Sequence, residues 1–276
     1  LPEGFNYAGV MSLAGALEAD GTETPEWKRT PCPILFFHGA ADPLVQPGMI
    51  TSAEFLQPLK DGAVINGRMT KRVFAENPAS ICFSGPDALL PGLEKCGASY
   101  RYVRFEGGDH MINLIPYHSH RDVMFDFIEH NVIGGEPVAE TVAGNDDGES
   151  WNSQWFASHR DLVLKDYGVK LPEAAGEERS AFGPVEDPLL KTDTYVYSKR
   201  KGDDGQPLKL DIYYDPAFSD VPDKPVIFYN HGGGWNSQFD RNTISQVWLR
   251  HFAHKGYVCV SIDYREGFEY ICNGNY

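Results

Sequence analysis

Three features of this 276-residue sequence predict an α/β fold. Short runs such as ILFF at 34–37 are apolar on both faces, as a parallel strand covered from both sides requires. Amphipathic stretches at helical spacing stand among these runs, and several of those stretches end at glycine. The hydrophobic share of 42% and the charged share of 23% are those of an ordinary globular chain with a real core.

The elements fall into three zones. From Leu1 to Ile133, β-rich runs alternate with helical patterns: YAGVMSLAGAL, CPILFFHGAADPLV, SYRYVRFEGGDH, then RDVMFDFIEHNV. In the last of these, Val123, Phe127 and Ile128 recur at helical spacing beside Met124, and Gly134-Gly135 supplies a stop. The second zone, 134–190, is rich in Gly, Pro and acidic residues and reads as a linker. One amphipathic helix is expected inside it, at WNSQWFASHRDLVLKDYG, anchored by Trp155, Leu162 and Leu164 or Tyr167. The third zone, 191–276, returns to β character. TDTYVYSKRKGDDGQPLKLDIYYDP predicts two strands around a Gly/Asp turn, and KPVIFYNHGGGW a buried strand with its loop. TISQVWLRHFAHKG predicts a helix closed by Gly256, and YVCVSIDYRE a further buried strand.

Bulk properties exclude several function classes. A net charge of −15 disfavours a phosphate-backbone partner, and the one basic cluster, SKRK at 198–201, reads as a solvated turn, so no nucleic-acid partner is expected. No apolar run reaches the roughly 18 residues that a membrane span needs. Cys32, Cys82, Cys96, Cys259 and Cys272 show no CxxC spacing and read as free thiols, which leaves the compartment open, a secreted or periplasmic one included. His118 and His120 could be taken for a metal pair, but i and i+2 side chains diverge on a helix, so neither metal nor organic cofactor is expected.

HGGGW at 231–235 is the sharpest chemical signal. Glycines let the backbone approach a ligand and aim N–H groups at one spot, which is what stabilising an oxyanion asks for. A plain Gly-rich turn is the alternative reading. HGGGW after a buried strand, then a helix, then YVCVSIDYRE resembles the N-terminal half of an α/β-hydrolase of the esterase/lipase group, which includes hormone-sensitive-lipase-like enzymes and carbohydrate esterases. The resemblance implies oxyanion N–H groups from Gly232 and Gly233, with His231, Gly234 and Trp235 shaping the loop. The first zone resembles the other half of that fold. By that likeness FFHGAADPLV ends in the catalytic acid, Asp42, and RFEGGDHMI carries the catalytic base, His110. A helix cap before Pro43 is the alternative reading of Asp42, and Asp109 is a weaker candidate acid.

A triad on this fold runs Ser, Asp, His, with the serine in a G-x-S-x-G elbow, and the sequence contains no G-x-S-x-G. Ser12 lies only 30 residues before Asp42, with a Pro-broken stretch between them, so YAGVMSLAGA reads as the strand that follows the nucleophile helix. Ser84 and Ser237 also lack an elbow. The expected architecture is therefore α/β-hydrolase pieces in inverted order: a C-terminal half at 1–133, a linker at 134–190 and an N-terminal half at 191–276. The sheet is expected to be mostly parallel with flanking helices, with the nucleophile strand and elbow absent.

With no initiator Met and an abrupt end at ICNGNY, the chain reads as a window on two tandem hydrolase modules, and a circular permutant is the competing arrangement. The expected activity is serine carboxylester hydrolysis in the parent form, on small or carbohydrate-linked esters. A non-catalytic esterase-like binding or scaffold module is the alternative from another class.

Overall fold

The computed structural model describes residues 6–20, 23–51, 54, 81–113, 115–145, 152, 154, 157–158, 187–201, 205–232, 241 and 245–264. The chain divides into two compact units, Leu1–Arg160 and Asp161–Tyr276.

The first unit begins with β1 (Val10–Leu13), β2 (Leu17–Asp20), β3 (Ile34–Gly39), β4 (Met49–Thr51) and β5 (Ile81–Ser84). Helix α1 (Pro86–Lys95) and β6 (Tyr100–Phe105) follow. Next come the short α2 (Pro116–Ser119), α3 (Arg121–Asp126) and β7 (Ala139–Ala143). Strands β1, β3, β6 and β7 lie in that order in one sheet, and every pairing is parallel. All six residues of β3 are buried, as the doubly apolar ILFF run requires. On one face Ile34, Phe36, Tyr100 and Tyr102 pack with Leu89 and Leu93 of α1. On the other, Phe37 and Phe105 meet the ring of His120 edge-on, at the start of α3. A separate antiparallel sheet, β2-β5-β4, stands beside this frame.

Two expectations need correction here, and a third falls largely outside the described residues. The stretch from Arg121 is α-helical only to Asp126, and Phe127–Ile133 is a π-helix that ends at Gly134, whose N–H donates to Glu129 O. That wider winding still buries Phe127, Ile128 and Asn131. Residues 139–143, read as linker, are instead strand β7: Tyr100 N–H donates to Val138 O, and Gly144 N–H to Arg104 O. The helix expected within 151–168 has only Asn152, Gln154, Ala157 and Ser158 among the described residues, with the last three helical. Its anchors Trp155, Leu162, Leu164 and Tyr167 lie outside them.

The second unit carries β8 (Lys191–Lys201), β9 (Pro207–Tyr214), β10 (Val226–Asn230), α4 (Ser245–Ala253) and β11 (Val258–Ile262). The order in its sheet is β10-β11-β9-β8. Only β10 and β11 run parallel; β11–β9 and β9–β8 are antiparallel, so a mostly parallel sheet does not describe this unit. The reason lies in the connections. Between β8 and β9 lie only residues 202–206, too few for a crossover, whereas α4 provides the crossover that a parallel β10–β11 pair needs. Gly256 sits at φ +92° just past α4, the left-handed position favoured where a helix stops. Among the described residues β1 and β7 are the edge strands of the first unit's parallel sheet, and β10 and β8 those of the second unit's sheet.

Beyond the end of α4, His254 bridges two carboxylates, with Nε2 2.8 Å from Asp187 Oδ2 and Nδ1 3.4 Å from Asp215 Oδ2. Burial pushes the Asp187 carboxyl up, but hydrogen bonds from His254 and the Leu189 N–H, with the charges of His254 and Arg250, hold it below its ordinary value. A depressed carboxylate adds stability that is fully present above the unfolded value of about 3.9 and is lost as pH falls through the folded one. Asp187→Asn should therefore cost about 1 kcal/mol at neutral pH and flatten the acid limb of the unfolding profile below about pH 4. Urea titrations at stepped pH read this effect, and an unchanged acid limb would count against it.

Candidate active site

Parallel neighbours bring ends of the same sense together, and in such sheets ligands bind beyond the carboxyl ends of the strands. Gly39 at the end of β3 is in register with Phe105 at the end of β6. The loops that follow are stitched to each other: Ala40 N–H donates to Phe105 O at 2.9 Å and Ala41 N–H to Gly108 O at 2.9 Å. Gly39 is glycine for want of room, since a Cβ there would stand 2.3 Å from Gly108 O and 2.7 Å from Asp109 O.

This stitching sets Asp42 against His110, with His110 Nδ1 2.8 Å from Asp42 Oδ2. Asp42 is 3% exposed, and its other oxygen, Oδ1, accepts the N–H groups of Leu44 at 2.8 Å and Val45 at 2.9 Å. The turn-capping reading of Asp42 and the acid reading therefore use different oxygens of one carboxylate. With Nδ1–H donated to Asp42, the lone pair of His110 is on Nε2, and that is the tautomer a general base needs. The His110 side chain is about a third exposed, so the ring is reachable. Asp109 points its carboxylate elsewhere, with Oδ1 accepting from Met111 N–H at 3.0 Å.

One participant went unnoticed in the sequence. His38, inside β3, is fully buried; its Nε2 lies 2.8 Å from Val45 O and 3.7 Å from Asp42 Oδ2. Burial pushes its imidazole below the usual value, against the opposing pull of the Val45 carbonyl and the Asp42 charge. The only cue was a polar residue within an otherwise apolar strand run.

The hydroxyls do not join this pair. Ser12 lies within β1 opposite Phe36, and β1 leads into strand β2 rather than into a helix. Ser84 does stand between a strand and helix α1, but it is fully buried and its Oγ donates to Thr24 Oγ1 at 3.2 Å. Ser237 lies outside the described residues. His120 is committed to the aromatic contacts above and to Ser119 Oγ, 2.6 Å from its Nδ1. Among the described residues no group of three or more His, Cys, Asp or Glu is placed to hold a metal ion. Cys32, Cys82, Cys96 and Cys259 are free.

The Gly-rich loop opens in the second unit, at the end of β10. His231 is buried, stacked on Tyr264 with ring centroids 4.2 Å apart, and the Tyr264 hydroxyl donates to His231 O at 2.7 Å. His231 Nδ1 lies 2.8 Å from Gly232 O. Tying the His231 carbonyl to Tyr264 turns the Gly232 N–H the opposite way, because the peptide is planar and trans. Gly232 is exposed, and a Cβ there would meet nothing within 4 Å. Gly233, Gly234 and Trp235 lie outside the described residues. Beyond them, Arg241 forks onto two carboxylates, with Nε 2.8 Å from Asp211 Oδ2 and Nη1 2.9 Å from Asp263 Oδ2. Ser261 Oγ donates to Arg241 O at 2.9 Å.

Comparison with known proteins gives partial matches. A stretch of 95 residues, 33% of this chain, is 38% identical to the non-reducing polyketide synthase pkbA of Emericella nidulans and covers 4% of that protein. A solved structure described as brefeldin A esterase, a bacterial homologue of human hormone sensitive lipase, is similar over 40% of this chain and 26% of its own. The identity there is 20% and the TM-score 0.23. The chain thus spans a small part of the length of either protein. No described helix is long and apolar enough to cross a membrane. Residues 210–270, which run from within β9 through the Gly-rich loop and α4 to just past β11, match the BD-FAE family, an esterase-type α/β-hydrolase family.

Proposed function

We propose that these residues serve serine carboxylester hydrolysis, with Asp42 and His110 as acid and base of one active site and the Gly232 and Gly233 N–H groups as the oxyanion donors of another. The observation that carries this reading is the 2.8 Å approach of His110 Nδ1 to the buried Asp42 carboxylate, beyond the carboxyl ends of adjacent parallel strands. In it, His110 Nε2 takes the proton of a serine hydroxyl as the oxygen attacks the ester carbonyl. Asp42 stabilises the imidazolium that forms, and the base later protonates the leaving alcohol. The serine is supplied from outside these 276 residues. The sequence holds no G-x-S-x-G, and neither Ser12 nor Ser84 is set in an accessible elbow.

The inverted order of the pieces, acid and histidine in the first unit and Gly loop in the second, follows from two tandem modules of which each unit is a part. It is supported by the separate sheets of the two units. Acylated carbohydrates are the substrate class proposed, since paired modules on one chain suit a polymer that presents many esters.

The test is an esterase assay on the chain itself. It should hydrolyse p-nitrophenyl acetate no faster than its His110→Ala variant, because the nucleophile is lacking. Turnover that depends on Ser12 would overturn the assignment of β1. A G-x-S-x-G encoded within about 30 residues upstream of residue 1 is the expected companion finding on the elbow logic. A continuous upstream frame without one would favour a non-catalytic binding module.

A further inference from the structure

We infer that His38 is a positioning residue for the acid: as a neutral Nε2–H imidazole it locks the 42–45 turn and so aims one Asp42 oxygen at His110. The inference rests on the reading of Asp42 and His110 as acid and base.

The argument starts from hydrogen-bond bookkeeping. A backbone carbonyl only accepts, so the 2.8 Å contact between His38 Nε2 and Val45 O requires a proton on Nε2. His38 Nδ1 is buried without a hydrogen-bond partner. An imidazolium would leave an N–H donor there with nothing to accept it, in a side chain that is fully shielded from solvent. The ring is therefore neutral, protonated on Nε2 alone.

That proton closes a loop of contacts around the carboxylate. His38 Nε2–H donates to Val45 O; Val45 N–H and Leu44 N–H donate to Asp42 Oδ1, leaving Oδ2 to face His110. A carboxylate that could rotate would exchange its two oxygens between the turn and the imidazole. With the turn pinned at Val45, the rotation that presents Oδ2 to His110 is the one that keeps every donor satisfied. His38 stands in the all-buried β3, whose rigid frame holds the ring, so the pin is anchored in the core rather than in the loop it restrains. His38 touches no reacting atom and acts only through Asp42.

NMR spectroscopy of the full 276-residue chain tests this without any turnover. Long-range nitrogen–proton correlation should show His38 as the Nε2–H tautomer at neutral pH. A far-downfield proton, assigned to His110 Nδ1–H by its disappearance in Asp42→Asn, should be lost to exchange in His38→Phe. The Val45 amide should exchange about tenfold faster in that variant, the size expected for one lost hydrogen bond. His38→Gln, whose amide nitrogen reaches the same place as Nε2, should restore both signals. A cationic or Nδ1–H His38 overturns the proposal, and so does a His110 proton that persists unchanged in folded His38→Phe. Should the Phe variant not fold, the wild-type tautomer and the Gln variant decide. The esterase reading fails separately, in the assay, and leaves these signals untouched.

Discussion

Gly39→Ala should separate Asp42 from His110 and destabilise the first unit by about 1–3 kcal/mol, the range for overpacking a filled site. The added methyl would stand 2.3 Å from Gly108 O and 2.7 Å from Asp109 O, and both obstacles are backbone rather than flexible side-chain ends. No rotamer change relieves the clash, so the loop bearing His110 has to withdraw from β3. The stitching bonds from Ala40 N–H to Phe105 O and from Ala41 N–H to Gly108 O lengthen with it. Two measurements check this: the urea midpoint, and the downfield His110 proton, which should vanish. A variant that keeps its midpoint and that proton would show that the two loops are not held at the spacing described.

Arg241→Met should destabilise the second unit by about 3–5 kcal/mol, the cost of removing one partner from a buried ionic cluster. Arg241 forks between Asp211 and Asp263, and its side chain is 16% exposed against 5% and 19% for those carboxylates. Desolvation works against the guanidinium charge, yet the two carboxylates raise its pKa above the ordinary value. Asp211 is further engaged by Thr194 Oγ1 at 2.6 Å, so it has no freedom to turn towards water once Arg241 is gone. The double variant Arg241→Met/Asp211→Asn should recover part of the loss, since one of the stranded charges is then removed. Denaturant unfolding measures both. A loss below about 1 kcal/mol for the single variant would place the cluster among solvated surface pairs.

Arg241 follows the Gly-rich stretch, and Tyr264 secures its beginning. Arg241 is held at β11 through Asp263 and Ser261, and Tyr264, just past that strand, holds the His231 carbonyl. Neither residue could be singled out from the sequence, where YVCVSIDYRE shows only a strand followed by polar residues.

The strands were legible because each carries its own signal. ILFF, YRYVRF, VIFY and VCVSI are apolar enough to be strands whatever surrounds them, although VIFY, expected to be buried, alternates between exposed and half-buried in the edge strand β10, and the glycines at 134 and 256 mark where the helical stretches stop. The residues of the candidate site were legible too, but only through motif resemblance, because Asp42 and His110 are 68 positions apart and nothing local links them. Strand β7 was not legible. AETVA is short, its residues alternate between exposed and half-buried, and it becomes a strand only because the open edge of β6 offers it a ladder. The direction of pairing in the second unit was equally hidden, since strand composition is nearly indifferent to sense and the connecting turn or crossover decides it.

By itself, then, the sequence determined the apolar runs, the helix stops, the absence of a G-x-S-x-G motif and the residue types offered as candidate acid, base and oxyanion donor. Tertiary structure alone decided which carboxylate oxygen meets His110, that His38 meets the Val45 carbonyl of the turn behind it, that Tyr264 ties the start of the Gly-rich loop, and that Arg241 bridges Asp211 and Asp263. The physical reason is one of range. Periodicity and turn chemistry act over a few neighbouring residues, whereas a 2.8 Å contact between residues far apart in the chain exists only once parallel strands have set their carboxyl ends side by side.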